Sequence, residues 1–451
     1  MRYTAIAAAS LLGLGLDAVP ASARAIAGRE PAQVSADSLS TIEQALARHA
    51  ASHDADALAL LQRLVNVNSG TQNLAGVREV GRILRAEFDA LGFATRWEEG
   101  AAFGRAGHLV AERTGTGPRV LLIGHLDTVF EPDSPFQRWE RLSDSTAKGP
   151  GSTDMKGGDV IMLFALKALK ASGQLDRMSI TVVLNGDEEA PGAPIALARK
   201  TLIDAGARAQ IAIGFEDGDG DPKTAVAARR GFTGWTLRVK GTPAHSSQIF
   251  RDDIGPGAIY EAARILNDFR LKLGGDPLRT FNAGVALGGT TVTLDSTATR
   301  GTAFGKSNIV PETFVVTGDL RVISPEAVMV AKAGMQAIVS AASPHTSAVL
   351  TFDDGYPPMA PKAGNTALLA EFDRASRHLG FGPVGMDNPA RAGAADVSFV
   401  AATVPQVIDG LGPGGTGGHT VNETLQTRTV AIQIARTAVL LNRITRASVV
   451  P

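Results

Sequence analysis

A series of short, nearly solid apolar runs set between helical patterns is what most limits the folds open to this chain. The runs are Val120-Leu121-Leu122-Ile123, Ile180-Thr181-Val182-Val183-Leu184, Ile211-Ala212-Ile213 and Gln406-Val407-Ile408. They are too short for buried helices and rich in β-branched residues. Continuous rather than alternating runs predict strands buried on both faces. Patterns of helical period precede or separate them, over about 39–49, 55–67, 74–91, 155–171, 366–379 and 423–442. The fold class is therefore α/β, with a mostly parallel sheet covered by helices.

The character of the chain changes near Arg229-Arg230-Gly231. Strand-like segments over 232–240, 282–293, 313–323 and 348–352 alternate with helical patterns over 252–273 and 325–342. The order strand-helix-strand-strand-helix-strand is that of a small ferredoxin-like (βαββαβ) domain. After Pro357-Pro358 the first pattern returns, so the small domain reads as an insertion. The expected organisation is a leader over 1–25, a first segment of the larger domain over 38–228, the inserted domain over 229–356 and a second segment of the larger domain over 357–451. The leader has Met1-Arg2, an apolar stretch over 6–16 and the small residues Ala21-Ser22-Ala23-Arg24-Ala25. That is the pattern of an export signal and is too short to span a bilayer. The mature protein is expected in the periplasm or secreted, with no membrane attachment after cleavage.

Composition narrows the chemistry. Among 451 residues, Lys plus Arg number 44 and Asp plus Glu 45, a net charge of -1. Such a chain has no broad field for nucleic acid. It has no cysteine, which excludes disulfides, thiol nucleophiles and thiolate metal sites. Any metal must be held by His, Asp and Glu.

In an open parallel sheet, ligands bind beyond the carboxyl ends of the strands. The residues after the apolar runs are Gly124-His125-Leu126-Asp127, Asn185-Gly186-Asp187-Glu188-Glu189, Gly214-Phe215-Glu216-Asp217 and a glycine-rich loop ending in His419; Asp154 precedes the helical pattern at 155. Any one acid here could be a helix cap or turn residue, and a lone histidine is more often structural than a ligand. Five such groups at one sheet edge suit a pair of zinc ions sharing a carboxylate. Asp127, two residues from His125, can accept the other ring N–H. Of Glu188 and Glu189, one can bind metal while the other faces a bridging water.

Gly124-His125-Leu126-Asp127-Thr128-Val129, Gly149-Pro150-Gly151-Ser152-Thr153-Asp154-Met155-Lys156-Gly157-Gly158 and Asp187-Glu188-Glu189 resemble the three motifs of the M20 metallopeptidases, with most similarity to the glutamate carboxypeptidases. The resemblance implies a zinc-peptidase catalytic domain with an inserted lid and dimerisation domain. It implies that Asp154 bridges two zinc ions per subunit, that His125 and Glu216 complete one site and that Glu189 and His419 complete the other. Cobalt or manganese could take the same ligands. Glu188 would be the general base and Asp127 would orient His125. Pro243-Ala244-His245-Ser246 resembles the lid segment whose histidine reaches across a homodimer to the oxyanion. Lys306-Ser307-Asn308-Ile309-Val310-Pro311 and Asp319-Leu320-Arg321 resemble segments that hold the substrate carboxylate, through Asn308 and Arg321. Glu rather than Asp at position 216 accompanies carboxypeptidase and deacylase activity in the family. The implied activity is zinc-dependent cleavage of an amide beside a C-terminal, glutamate-like residue, on a small peptide or N-acyl amino acid. Alternatives are an N-acyl amino acid deacylase or dipeptidase on the same site, or a non-catalytic peptide-binding protein. His345 and His378 are expected at the surface, and His108 has no evident partner in the sequence.

Overall fold

The run at Val120 becomes the strand Arg119–His125, inside a six-stranded sheet. Ser179–Asn185 and Ile211–Gly214 flank it, and Gln406–Ile408 lies beyond the latter, all paired in parallel. The computed structural model describes residues 38–295 and 300–446, so the export leader expected over 1–25 lies outside the described residues. Two more strands, Ala94–Glu99 and Gly107–Arg113, extend the other edge antiparallel. Ala94–Glu99 is largely polar and alternates exposed with half-buried positions, as an outermost strand does.

Both faces of this sheet are dry. Val120 and Leu122 point into a core built with the helices Lys156–Ala171 and Arg428–Ile444, whereas Leu121 and Ile123 point into a second core with Leu202, Val400 and Val404. Strand geometry sends alternate side chains to opposite faces, so a strand packed on both sides must be apolar throughout. Each such side chain contributes roughly 1.5–3 kcal/mol on burial. Helix and sheet meet closely at the N-terminus of Lys156–Ala171. A Cβ on Gly158 would lie 2.0 Å from the Phe215 carbonyl oxygen, so only glycine lets the Asp154 loop approach the end of Ile211–Gly214.

A separate four-stranded antiparallel sheet runs in the order Thr280–Gly289, Thr313–Arg321, Thr233–Gly241, Thr346–Asp354. With the helices Gly257–Leu273 and Pro325–Ser340 it encloses a third core around Trp235, Leu237, Phe269 and Met335. This is the expected ferredoxin-like order, with two corrections. The strand expected over 282–293 ends at Gly289, and Thr291–Leu294 pairs instead with Gly301–Phe304. The helix expected from 252 begins at Gly257, because Gly255 just before it has a φ of 76°, outside the helical region.

The chain passes between the two sheets twice, and the passages are bonded to each other. Arg229 and Met359 exchange backbone hydrogen bonds of 2.9 and 3.0 Å, and the Phe232 N–H donates to the Tyr356 carbonyl at 2.8 Å. A further small sheet joins distant segments in the order Gly415–Thr416, Thr424–Gln426, Thr146–Lys148, Glu140–Arg141. It corrects the helix expected over 423–442. Thr424–Gln426 is a strand, held by Thr146–Lys148, and the helix begins at Arg428. Among the described residues no helix is long and apolar enough to cross a membrane.

Candidate metal centre

The five expected ligands converge. His125 ends its strand and is 1% exposed; its Nε2 lies 3.1 Å from Asp154 Oδ1 and 3.6 Å from Glu216 Oε1. The other Asp154 oxygen lies 2.9 Å from His419 Nε2, which is 3.2 Å from Glu189 Oε2. The result is two triads, His125-Asp154-Glu216 and Asp154-Glu189-His419, each with its ligand atoms within 4.8 Å of one another. Asp154 belongs to both. The small sheet accounts for His419, since it places the loop after Gly415–Thr416 beside the segment leading to Asp154.

The donors fit divalent cations. They are imidazole and carboxylate only, a set suited to zinc and also to cobalt or manganese. Glu189 Oε1 is buried with no hydrogen-bond partner, a costly state for a carboxylate unless a cation meets it. Burial and the neighbouring Asp154 push the Glu189 carboxyl up to about 7. Burial and Asp154 raise Glu216 well above the usual carboxylate range, and burial and Asp396 do the same for Glu188. Hydrogen bonds to Asp154 and Glu189 raise His419 to about 11. Burial opposes ionisation of Asp154, yet hydrogen bonds from His125 and His419 hold its carboxyl below the ordinary value. The acids crowd one another and are relieved only by protons on the two imidazoles. Bound cations would supply that relief more fully.

A surrounding shell fixes the ligands. Asp127 sits 3.4 Å from His125 Nδ1, which also lies 3.1 Å from the Asp127 carbonyl. Asp127 does more than the sequence implied. Its two carboxylate oxygens accept the backbone N–H groups of Glu188 and Glu189, at 3.0 and 3.1 Å, and Oδ2 also accepts the Thr71 hydroxyl at 2.6 Å. Glu423 is fully buried and receives the N–H groups of Gly151, Thr153 and Asp154 and the hydroxyls of Ser152 and Thr153. It clasps the loop that presents Asp154. Asp409 accepts the Glu216 N–H at 3.2 Å and pairs with Arg229 at 2.7 Å. Arg199 is 0% exposed and bridges Asp187 and Asp396, each at 2.7 Å. The sequence pattern did not single out Glu423, Asp409 or Arg199. Only the position of Asp409 directly after the run Gln406-Val407-Ile408 offered a local signal.

The residues expected from the inserted domain are not part of the cluster. His245 is exposed and its ring nitrogen Nδ1 lies 2.8 Å from the Ser247 hydroxyl. Asn308 is exposed, and its carbonyl accepts the Ser246 N–H. Arg321 pairs with Asp319 at 2.9 Å and lies over the Phe232 ring. His245 and Asn308 thus neighbour each other through the bridge between His245 and Ile309. His108, for which the sequence offered no partner, accepts the Gly186 N–H through Nδ1 at 3.2 Å and stacks on Phe103. His345 is exposed and His378 half-buried beside Arg443.

Comparison with known proteins places this geometry. Residues 121–443 match the family model described as peptidase family M20/M25/M40. Carboxypeptidase G2 of Pseudomonas sp. (strain RS-16) is 27% identical over 366 residues, 80% of this chain and 82% of that protein. Succinyl-diaminopimelate desuccinylase of Gluconacetobacter diazotrophicus is 33% identical over 141 residues, covering 30% of this chain and 35% of the enzyme. Among solved structures, a tripeptidase from Staphylococcus aureus superposes with a TM-score of 0.67 at 21% identity, over 87% of this chain and 99% of that one. A dinuclear metal-binding M20 peptidase from Bacillus subtilis superposes with a TM-score of 0.62 at 13% identity, over 88% and 99%. These two share the fold. The match over most of the sequence, together with paired acid and imidazole triads about a common aspartate, makes the chain a member of peptidase family M20/M25/M40 and a hydrolase of that metallopeptidase type.

Proposed function

We propose that this hydrolase is a two-zinc carboxypeptidase that cleaves an amide beside a free, glutamate-like carboxylate. The observation that carries the reading is the sharing of Asp154 by two ligand triads, with Glu188 beside them on the Glu189 turn. The long alignment with carboxypeptidase G2 supports cleavage beside a free terminal carboxylate. When bound, two zinc ions would polarise the scissile carbonyl and lower the pKa of the attacking water. Glu188 would take that water's proton as the new C–O bond forms, then deliver it to nitrogen as the C–N bond breaks. Its raised affinity for protons suits both halves of that task. His245 would hydrogen-bond the carbonyl oxygen as negative charge gathers there, and Arg321 with Asn308 would hold the substrate carboxylate.

His245 makes its bonds to Ser247 and not to the cluster, so in this reading it acts after movement of the ferredoxin-like domain or from a second copy of the chain. We therefore also propose that this domain serves as lid and homodimer contact, and that the protein is exported. A deacylase reading is favoured by the local similarity to desuccinylases. One experiment separates the readings: metal analysis of purified protein with assays on N-acylglutamates, folate-type amides, N-succinyl amines and free dipeptides. Two zinc ions per chain and preference for N-acylglutamates are expected. Preference for N-succinyl amines selects the deacylase, and activity only on free dipeptides rejects the carboxypeptidase. Binding without turnover would mark a peptide-binding protein.

A further inference from the structure

The two passages of chain between the sheets each send one side chain to a ligand loop. Arg229, in the first passage, pairs with Asp409, whose other oxygen accepts the Glu216 N–H. Tyr356, in the second, donates its hydroxyl to the Glu188 carbonyl at 2.8 Å. That hydroxyl accepts from Arg199 Nη2 at 2.9 Å, and Arg199 also holds Asp187 and Asp396. The Tyr356 ring packs against Phe399 with centroids 4.9 Å apart.

The Glu188 carbonyl and the Glu189 N–H belong to one peptide unit. Its oxygen is held by Tyr356 and its nitrogen by Asp127. A planar peptide pinned at both edges cannot rotate, and the two side chains flanking it are the proposed base and a metal ligand. Tyr356 lies two residues beyond the strand Thr346–Asp354. Displacement of the ferredoxin-like sheet therefore pulls on the same peptide unit.

We propose that Tyr356 is a positioning residue: its hydroxyl transmits the placement of the ferredoxin-like sheet to the peptide plane carrying Glu188 and Glu189. The proposal rests on the two-zinc reading of the metal centre for the roles of those two acids. Linkage makes the effect reciprocal, so a cation bound at Glu189 must steady the second passage.

Tyr356→Phe removes the hydroxyl and keeps the ring. Amide hydrogen exchange of the wild type and Y356F, each with zinc and after chelation, tests the proposal, with zinc affinity measured by competition with a chelator. In the wild type, zinc should slow exchange in both passages, at 229–232 and 355–359. In Y356F the slowing at 355–359 should shrink more than that at 229–232, which Arg229 still ties to Asp409, and zinc should bind about 10–100-fold more weakly. On whichever amide is turned over, kcat should fall more than KM changes. Unaltered slowing and affinity in Y356F would overturn the proposal. So would a wild type that binds zinc with no change at 355–359, and this second test stands even if Y356F is too unstable to measure. A wild type that binds no zinc overturns the two-zinc reading and, with it, this one.

Discussion

The chemical groups at the ends of the six-stranded sheet and those on the ferredoxin-like sheet are held in opposite ways. His125, Asp154, Glu189 and Glu216 are at most 15% exposed, and their backbones or rings are tied by Asp127, Glu423 and Asp409. His245 and Asn308 are exposed, and the bonds around them are local. A rigid ligand shell costs no reorganisation when substrate arrives, whereas groups that must come from elsewhere can exclude water and select substrate as they close. The molecule keeps a buried, cross-bonded half and an exposed, locally bonded half on separate hydrophobic cores.

Four measurements test that division. Glu188→Gln should lower turnover by about 100–10,000-fold while zinc content stays at the wild-type level; retained turnover removes Glu188 from the role of base. His245→Ala should lower kcat by about 100–1,000-fold. Because His245 is exposed, its loss should leave zinc content intact and move stability by no more than about 0.5 kcal/mol. A large change in either would show that the two halves are not separable. Glu423→Gln should weaken zinc by about 10–100-fold, read by chelator competition, with turnover recovering in excess zinc; failure to recover would give Glu423 a role beyond holding the Asp154 loop.

The smallest effect concerns pH. Glu189 takes its proton at about 7 in the folded chain against an ordinary 4.5. Between those values the folded state holds more protons than the unfolded one, so stability falls as pH rises through the window. His419 is raised from 6.5 to about 11, so its contribution is full below about pH 6.5 and drains as pH rises further. Asp154, lowered from 3.8, acts the other way, and only in acid. Chelated protein should melt a few degrees higher near pH 5.5 than near pH 8, and zinc should flatten that slope. A chelated protein that is more stable at pH 8 would contradict the mutual crowding of Asp154, Glu189 and Glu216.

Much of the site was legible in the sequence because strand ends are. Each apolar run is bounded by the residue it delivers, so His125, Glu189 and Glu216 could be found just past the carboxyl ends of the buried strands. The ferredoxin-like order was legible for the same reason, from runs and periods. The features that escaped have no local signature. Glu423 looked like the first turn of a helix, because its partners at 151–154 are about 270 residues away. Arg199 carries no signal in the sequence of its role, because its partners Asp187 and Asp396, between which it is buried, lie 12 and 197 positions away. The outermost strand Ala94–Glu99 is too polar to stand out, and the pairing of Thr291–Leu294 with Gly301–Phe304 depends on a turn that the run over 282–293 does not announce.

The small sheet that joins Thr146–Lys148 to Thr424–Gln426 imposes an order on biogenesis. Neither His419 nor the Glu423 clasp can reach Asp154 until the strand Thr424–Gln426 has left the ribosome. A growing polypeptide can therefore offer scattered acids to passing ions, but not the finished two-cation cage. Closure of the ligand cluster is thereby a late event in the making of the chain.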